Sequence, residues 1–211
     1  MEWGLVMQSD GGANPEAQSR LGGLQAAASA IAGRGPAPVH LWNPPHCGDI
    51  GMRIAADGSW HYRGSPISRP AMVRLFATIL RKDPDGYVLV TPVEKVSIEV
   101  EDAPFTAVEM SVEETADGPC LKFRTNLDEW ITADAAHPLR FAQDTGRGSK
   151  GSAKPYLLVR GGLEALVSRA VYYDLVARGE SRDINGVPMY GVASGRCFFP
   201  IAPASEIEDP E

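Results

Sequence analysis

His40, His46, Cys47 and Asp49 fall inside one short stretch, His-Leu-Trp-Asn-Pro-Pro-His-Cys-Gly-Asp, the tightest gathering of reactive side chains in the sequence. Imidazole, thiol and carboxylate together could hold zinc or set up a Cys-His nucleophile. Zinc wants four well-placed ligands, usually as spaced pairs from two turns. Here His46 and Cys47 are adjacent, so their side chains diverge, and no second pair follows. The stretch reads as a proline-stiffened loop around a buried thiol, and no metal or cofactor is expected. Residues 144–152, Asp-Thr-Gly-Arg-Gly-Ser-Lys-Gly-Ser, invite comparison with a phosphate loop. The residue after Gly151 is Ser152 instead of lysine, and a strand pattern follows where a phosphate loop needs a helix N-terminus, so this segment reads as a basic loop.

Three other charges break their local pattern. Arg69 precedes Pro70 at the N-cap position of a predicted helix, where it caps poorly and has the wrong sign for the positive end of the dipole. Glu94 runs in phase with Val96, Ile98 and Val100 and is expected to point to the buried face. Asp174 falls between Leu163, Val167 and Val171 on a helical wheel. A charge on a buried face demands a partner. Arg69, Arg160 and Arg169 are the available cations, and Trp60 offers a flat aromatic face. Either these groups satisfy one another as structural ion pairs, with Asp174 reaching Arg178 one turn on, or they line a pocket for an anion.

The elements that must position them follow from periodicity. Pro15, after Asn14 as cap, opens a helix with Leu21, Leu24, Ala28 and Ile31 on one stripe, stopped by Gly33, Gly35 and Pro36. Residues 52–63 read as a β-hairpin. A three-residue loop, Ala56-Asp57-Gly58, pairs Ile54 with Trp60 and Met52 with Tyr62, segregating them from Arg53, His61 and Arg63. Pro70 starts a helix whose stripe is Met72, Val73, Leu75, Phe76, Ile79 and Leu80, and strands follow at 87–91 and 93–100. A meander comes next, with Val108, Met110 and Val112 alternating toward a turn at 116–119 and Leu121 and Phe123 returning; Glu109 and Glu113 are placed opposite Lys122 and Arg124. After a strand at 156–159 and Arg160-Gly161-Gly162, the spacing of Leu163, Leu166, Val167, Ala170, Val171 and Leu175 predicts a helix, and a hairpin at 189–199 turns at Ala193-Ser194-Gly195. A shift of 96 residues carries Leu75, Phe76, Ile79 and Leu80 onto Val171, Tyr172, Leu175 and Val176. The order of elements thus predicts an α+β protein of two tandem hairpin-helix-hairpin repeats with mainly antiparallel sheets. Residues 1–35 form a tail and docked helix, 36–102 the first repeat, 103–201 the second, and 202–211 an acidic tail.

Composition bounds the partners. A net charge of −7 argues against nucleic acid or an anionic membrane surface, which need a dense positive field, yet leaves room for a small anion held by one or two local cations. Three scattered cysteines with no Cys-x-x-Cys pair, and an N-terminus without the pattern of a signal peptide, read as a cytoplasmic protein with free thiols.

Several stretches resemble a bacterial family, domain of unknown function 1285: Asp57-Gly58-Ser59-Trp60, Arg69 through Phe76, Thr91 through Val96, Val100 through Phe105, Arg160 through Ala165, and Ser194-Gly195 with Phe198-Phe199. The likeness spans residues 36–201. It implies a duplicated core whose second half is similar to a pleckstrin-homology fold. It further implies a ligand site between the halves, suited to a nucleotide-like molecule in signal transduction. Ala193 stands where the family often has Trp, and Ser68 where Gly is usual. The expectation is a non-catalytic binding or sensory protein, with Arg69, Arg160 and Arg169 as anion partners, Glu94 and Asp174 as orienting carboxylates and Trp60 as a stacking surface. A scaffold for another protein is the alternative; an enzyme using Cys47 or a carboxylate pair has least support in the residues.

Overall fold

The structure, a computed structural model, describes residues 15–31, 37–143 and 153–206. Asn14, the stop signals at 33–36, the basic loop at 144–152 and most of the acidic tail lie outside the described residues. Among those described, no helix is long and apolar enough to cross a membrane.

Proline at the first position opens α1 (Pro15–Ile31). Leu24 and Ala28, four apart and so on one face, are completely buried against the body. A 3-10 turn at Val39–Leu41 leads into β1 (His46–Ile54) and β2 (Trp60–Tyr62). Their register pairs Met52 with Tyr62 and Ile54 with Trp60, as the alternation predicts. The Ala55 and Ser59 backbones close the loop at 2.9 Å, with Gly58 left-handed at φ +82. After the two-residue β3 (Ser65–Pro66) comes α2 (Pro70–Thr78), with Arg69 at its cap.

The expected stripe of α2 runs too far. The helix stops at Thr78, whose hydroxyl donates to the Leu75 carbonyl at 2.7 Å. Leu80 instead opens a strand absent from the sequence reading, β4 (Leu80–Asp83), paired with β5 (Gly86–Val90) through Asp83 and Gly86. The ladder with β5 holds the backbone extended, and Arg81 anchors it: its guanidinium donates to the Val39 and Trp42 carbonyls, both at 2.7 Å, and is clamped by Asp83 at 2.6 Å. With β6 (Lys95–Val100) the sheet order is β3-β2-β1-β6-β5-β4, antiparallel except where β1 and β6 run parallel.

In the second half, β7 (Phe105–Thr115) and β8 (Gly118–Thr125) form the expected hairpin. Glu109 pairs with Arg124 at 2.7 Å, and Glu113 with Lys122. A bulge between Ala107 and Glu109 breaks the predicted alternation and leaves Val108 exposed. β9 (Trp130–Thr132) and β10 (Leu139–Gln143) precede β11 (Ala153–Arg160).

The predicted long helix then resolves into two elements. Gly161 and Gly162 are both left-handed, at φ +50 and +77, and turn the chain back into β12 (Leu163–Val167). There Leu163, Ala165 and Val167 are buried in strict alternation; Leu166, apolar on the other face, hid that period. Only from Arg169 does α3 (Arg169–Val176) begin. A three-stranded meander ends the fold: β13 (Glu180–Ile184), β14 (Val187–Ser194) and β15 (Cys197–Pro203). Asn185-Gly186, both at positive φ, makes the tight β13–β14 turn. The middle sheet has the order β10-β11-β12-β7-β8-β9, antiparallel except where β12 and β7 run parallel.

The same order of elements thus occurs twice: a hairpin, a short helix, then a three-stranded meander. The helices match cap to cap, Arg69 against Ser168, so Phe76 answers to Leu175 and the shift of 96 is out of step. One apolar cluster, from Leu24 through Trp60 and Phe76 to Phe105, Leu157, Leu175 and Phe199, runs through both halves.

Candidate functional site

A cavity of about 380 Å³ opens between α1 and the first turn of α2, lined by Gln25, Ser29, Arg69, Ala71, Met72 and Leu75. Gln25 and Ser29 are four apart on α1 and flank the buried Leu24–Ala28 stripe. The Arg69 backbone is extended, at φ −95 and ψ 104, as the following proline requires. Its carbonyl accepts the Met72 and Val73 amides at 3.0 and 3.2 Å, but its side chain caps nothing. The guanidinium is exposed and, among the described residues, has no acceptor. Its charge adds to the positive end of the α2 dipole, so an anion at this spot would be held by both.

The other five expected site residues do not line this cavity. Trp60 is 2% exposed, its ring stacked on Phe76 with centroids 6.5 Å apart, so it is core and presents no face to a ligand. Glu94 lies before β6 begins, in a turn clasped by Thr91, whose amide donates to the Glu94 carbonyl at 2.9 Å. That breaks the strand phase and leaves Glu94 only half-buried. Asp174 is exposed because α3 starts later than expected, which rotates the wheel to bury Val171 and Leu175. It makes no ion pair with Arg178 among the described residues. Arg169 is exposed as well, its Nε donating to the Tyr173 hydroxyl at 3.0 Å.

The reactive cluster at the start of β1 also disperses. Cys47 is exposed instead of buried, and His46 Nε2 lies 2.8 Å from Ser97 Oγ. Asp49 accepts the Gly51 amide. Among the described residues, no three His, Cys, Asp or Glu side chains stand together as a metal site. A different chain of groups, missed in the sequence, runs through the β1–β2 loop. Ser59 Oγ donates to Asp57 at 2.6 Å and lies 2.9 Å from His61 Nε2. That hydrogen bond is the main cause holding the Asp57 carboxyl below its usual value. A nucleophilic triad needs the base in the middle, between nucleophile and carboxylate. Here the serine is in the middle, so its proton is directed at Asp57, and His61 Nδ1 is buried without a partner among the described residues.

Comparison with families and solved structures places these features. The family model described as "Domain of unknown function (DUF1285), N-terminal domain" matches residues 37–103, and that described as "Protein of unknown function (DUF1285), C-terminal domain" matches residues 104–201. The chain belongs to the DUF1285 family. A DUF1285 family protein from Silicibacter pomeroyi DSS-3 is 48% identical, covering 88% of this chain and 98% of its own, with a TM-score of 0.77. Another, from Shewanella baltica OS155, is 30% identical over 60% of this chain and 91% of its own, at a TM-score of 0.48. No curated protein matches the sequence.

The boundary between the two DUF1285 matches coincides with a dense polar seam. Asp102 accepts the Tyr156 hydroxyl at 2.7 Å and the Lys154 ammonium at 3.0 Å. Burial first, and the Asp102 contact second, push the Tyr156 hydroxyl well above its ordinary value. Beside Asp102, within the first match, Glu101 accepts the Ala56 amide at 2.8 Å and pairs with Arg53. Gly58 packs under Thr106 and Asn126, whose amide nitrogen lies 3.4 Å from the Gly58 carbonyl. Arg160 donates to Glu129 at 2.8 Å and to the Ala77 carbonyl at the end of α2 at 3.0 Å, with its guanidinium 5.1 Å from the Phe105 ring centre. Arg160 is therefore committed to the seam. Of the six expected site residues, Arg69 lines the cavity; Met72 and Leu75 were read in the sequence only as core, and Gln25 and Ser29 were missed, although their four-residue spacing beside the apolar stripe was there to be read.

Proposed function

We propose that this DUF1285 chain is a non-catalytic binding protein that takes a small anionic ligand between α1 and the N-terminus of α2, in a sensory role. The observation that carries the reading is the Arg69 guanidinium: it lines a cavity, has no acceptor among the described residues, and stands at a helix end of its own sign. A cation left so is stabilised by any anion that enters, and the cavity volume falls at the small end of ligand pockets, about 300–1,000 Å³. The site moves away from the seam between the two halves, where the sequence reading put it, because the seam's charges have partners. In thermal unfolding, small carboxylates and phosphates at millimolar concentration should raise the melting temperature above that in chloride of equal ionic strength. Arg69→Gln should keep its own melting temperature and lose the increment. Equal increments in both proteins would refute the reading.

A further inference from the structure

We infer that the ligand of the α1–α2 cavity is an aliphatic monoanion, one acidic headgroup on a short alkyl chain; this rests on the anion reading above and narrows it. Among the described residues the lining supplies one cation, Arg69, and a single charged headgroup is what that cation matches. Among those residues it supplies no aromatic ring. A nucleobase would lack a stacking surface, since the nearby tryptophan, Trp60, is buried under Phe76. What the lining does offer beside the guanidinium is Met72, Leu75 and Ala71 on one wall, with Gln25 and Ser29 on the other. Met72 and Leu75 are three apart on α2 and form one apolar strip leading away from Arg69. Both are only partly buried by the protein itself. Methionine adapts its shape to an alkyl chain better than a branched residue does. Gln25 and Ser29 can bond the oxygens of a headgroup that Arg69 holds.

Isothermal titration of the full chain with butyrate, octanoate, octanol, AMP and inorganic phosphate tests this. Each methylene seated on Met72 and Leu75 is worth about fourfold in affinity, so seating two or more of octanoate's four extra methylenes gives roughly tenfold or better over butyrate. Octanol should bind at least about tenfold more weakly than octanoate, and Arg69→Gln should weaken octanoate by a similar factor. AMP should bind no better than phosphate. If phosphate or AMP binds in an Arg69-dependent way while octanoate gains nothing over butyrate, the aliphatic assignment is wrong and the anion site stands. If octanoate binds wild type and Arg69→Gln alike, the headgroup is not read and the assignment fails. If no compound binds, both fail.

Discussion

Arg160 reaches three partners at once, the Ala77 carbonyl, the Glu129 carboxylate and the face of Phe105, whereas Arg69 reaches none among the described residues. Removing the first should therefore cost stability and removing the second should not. Arg160→Met is expected to lose about 1–2 kcal/mol in urea unfolding, the range for a half-exposed charged hydrogen-bond donor. Arg169→Met, with its exposed Tyr173 contact, should stay within about 0.5 kcal/mol. Asp83 gives a pH-dependent test. Its carboxyl is held below the ordinary 3.8 chiefly by the Arg81 hydrogen bond, against burial, with Lys95 helping. Because the folded value is the lower one, this stabilisation is full above 3.8 and disappears as pH falls through the folded value. Asp83→Asn should cost up to about 1 kcal/mol at neutral pH, and its urea midpoint should converge on that of wild type as acidity increases. A gap unchanged in acid would remove Asp83 from the account.

At the scale of elements, Gly58 does two jobs. Its φ of +82 closes the β1–β2 loop, and a Cβ there would stand 2.7 Å from Thr106 Oγ1 and 2.9 Å from Asn126 Nδ2. Gly58→Ala should lose about 1–3 kcal/mol, from backbone strain together with a forced shift at the seam; a loss below about 0.5 kcal/mol would mean that the loop does not pack as described. The turn and register of this hairpin were legible in the sequence, because Asp57-Gly58 fixes the turn and alternation fixes the register, whereas the start of β1 at His46 had read as a loop. α3 was not. Its preceding strand β12 carries apolar residues on both faces, and such a run satisfies a helical period as well as a strand's. The misplaced start then rotated Asp174 onto a face it does not occupy. β4 escaped for a related reason: Leu80 extends the α2 stripe in sequence, whereas in the structure Leu80–Asp83 pairs with β5 and Arg81 bonds the Val39 and Trp42 carbonyls. Such long-range bonds leave no local signature.

Across the whole molecule, the seam and the shared apolar cluster tie the two DUF1285 matches together, while the cavity sits at the opposite, N-terminal end of α2 from the Ala77–Arg160 bond. The sequence showed that some charges were misplaced without showing which had partners, because partnership is decided by contacts dozens of residues apart. Of the six expected site residues, Trp60 lies in the core and Arg160 in the seam, while Glu94, Arg169 and Asp174 stand away from the cavity through local turn and helix register. What remains rests on Arg69 and the groove beside it. Backbone amide chemical shifts followed by NMR during titration with octanoate test this most directly. The account predicts perturbations centred on Gln25, Ser29, Ala71, Met72 and Leu75 that vanish in Arg69→Gln. Perturbations centred on the seam around Asp57, Asp102 and Arg160, or a pattern untouched by the Arg69 change, would contradict it.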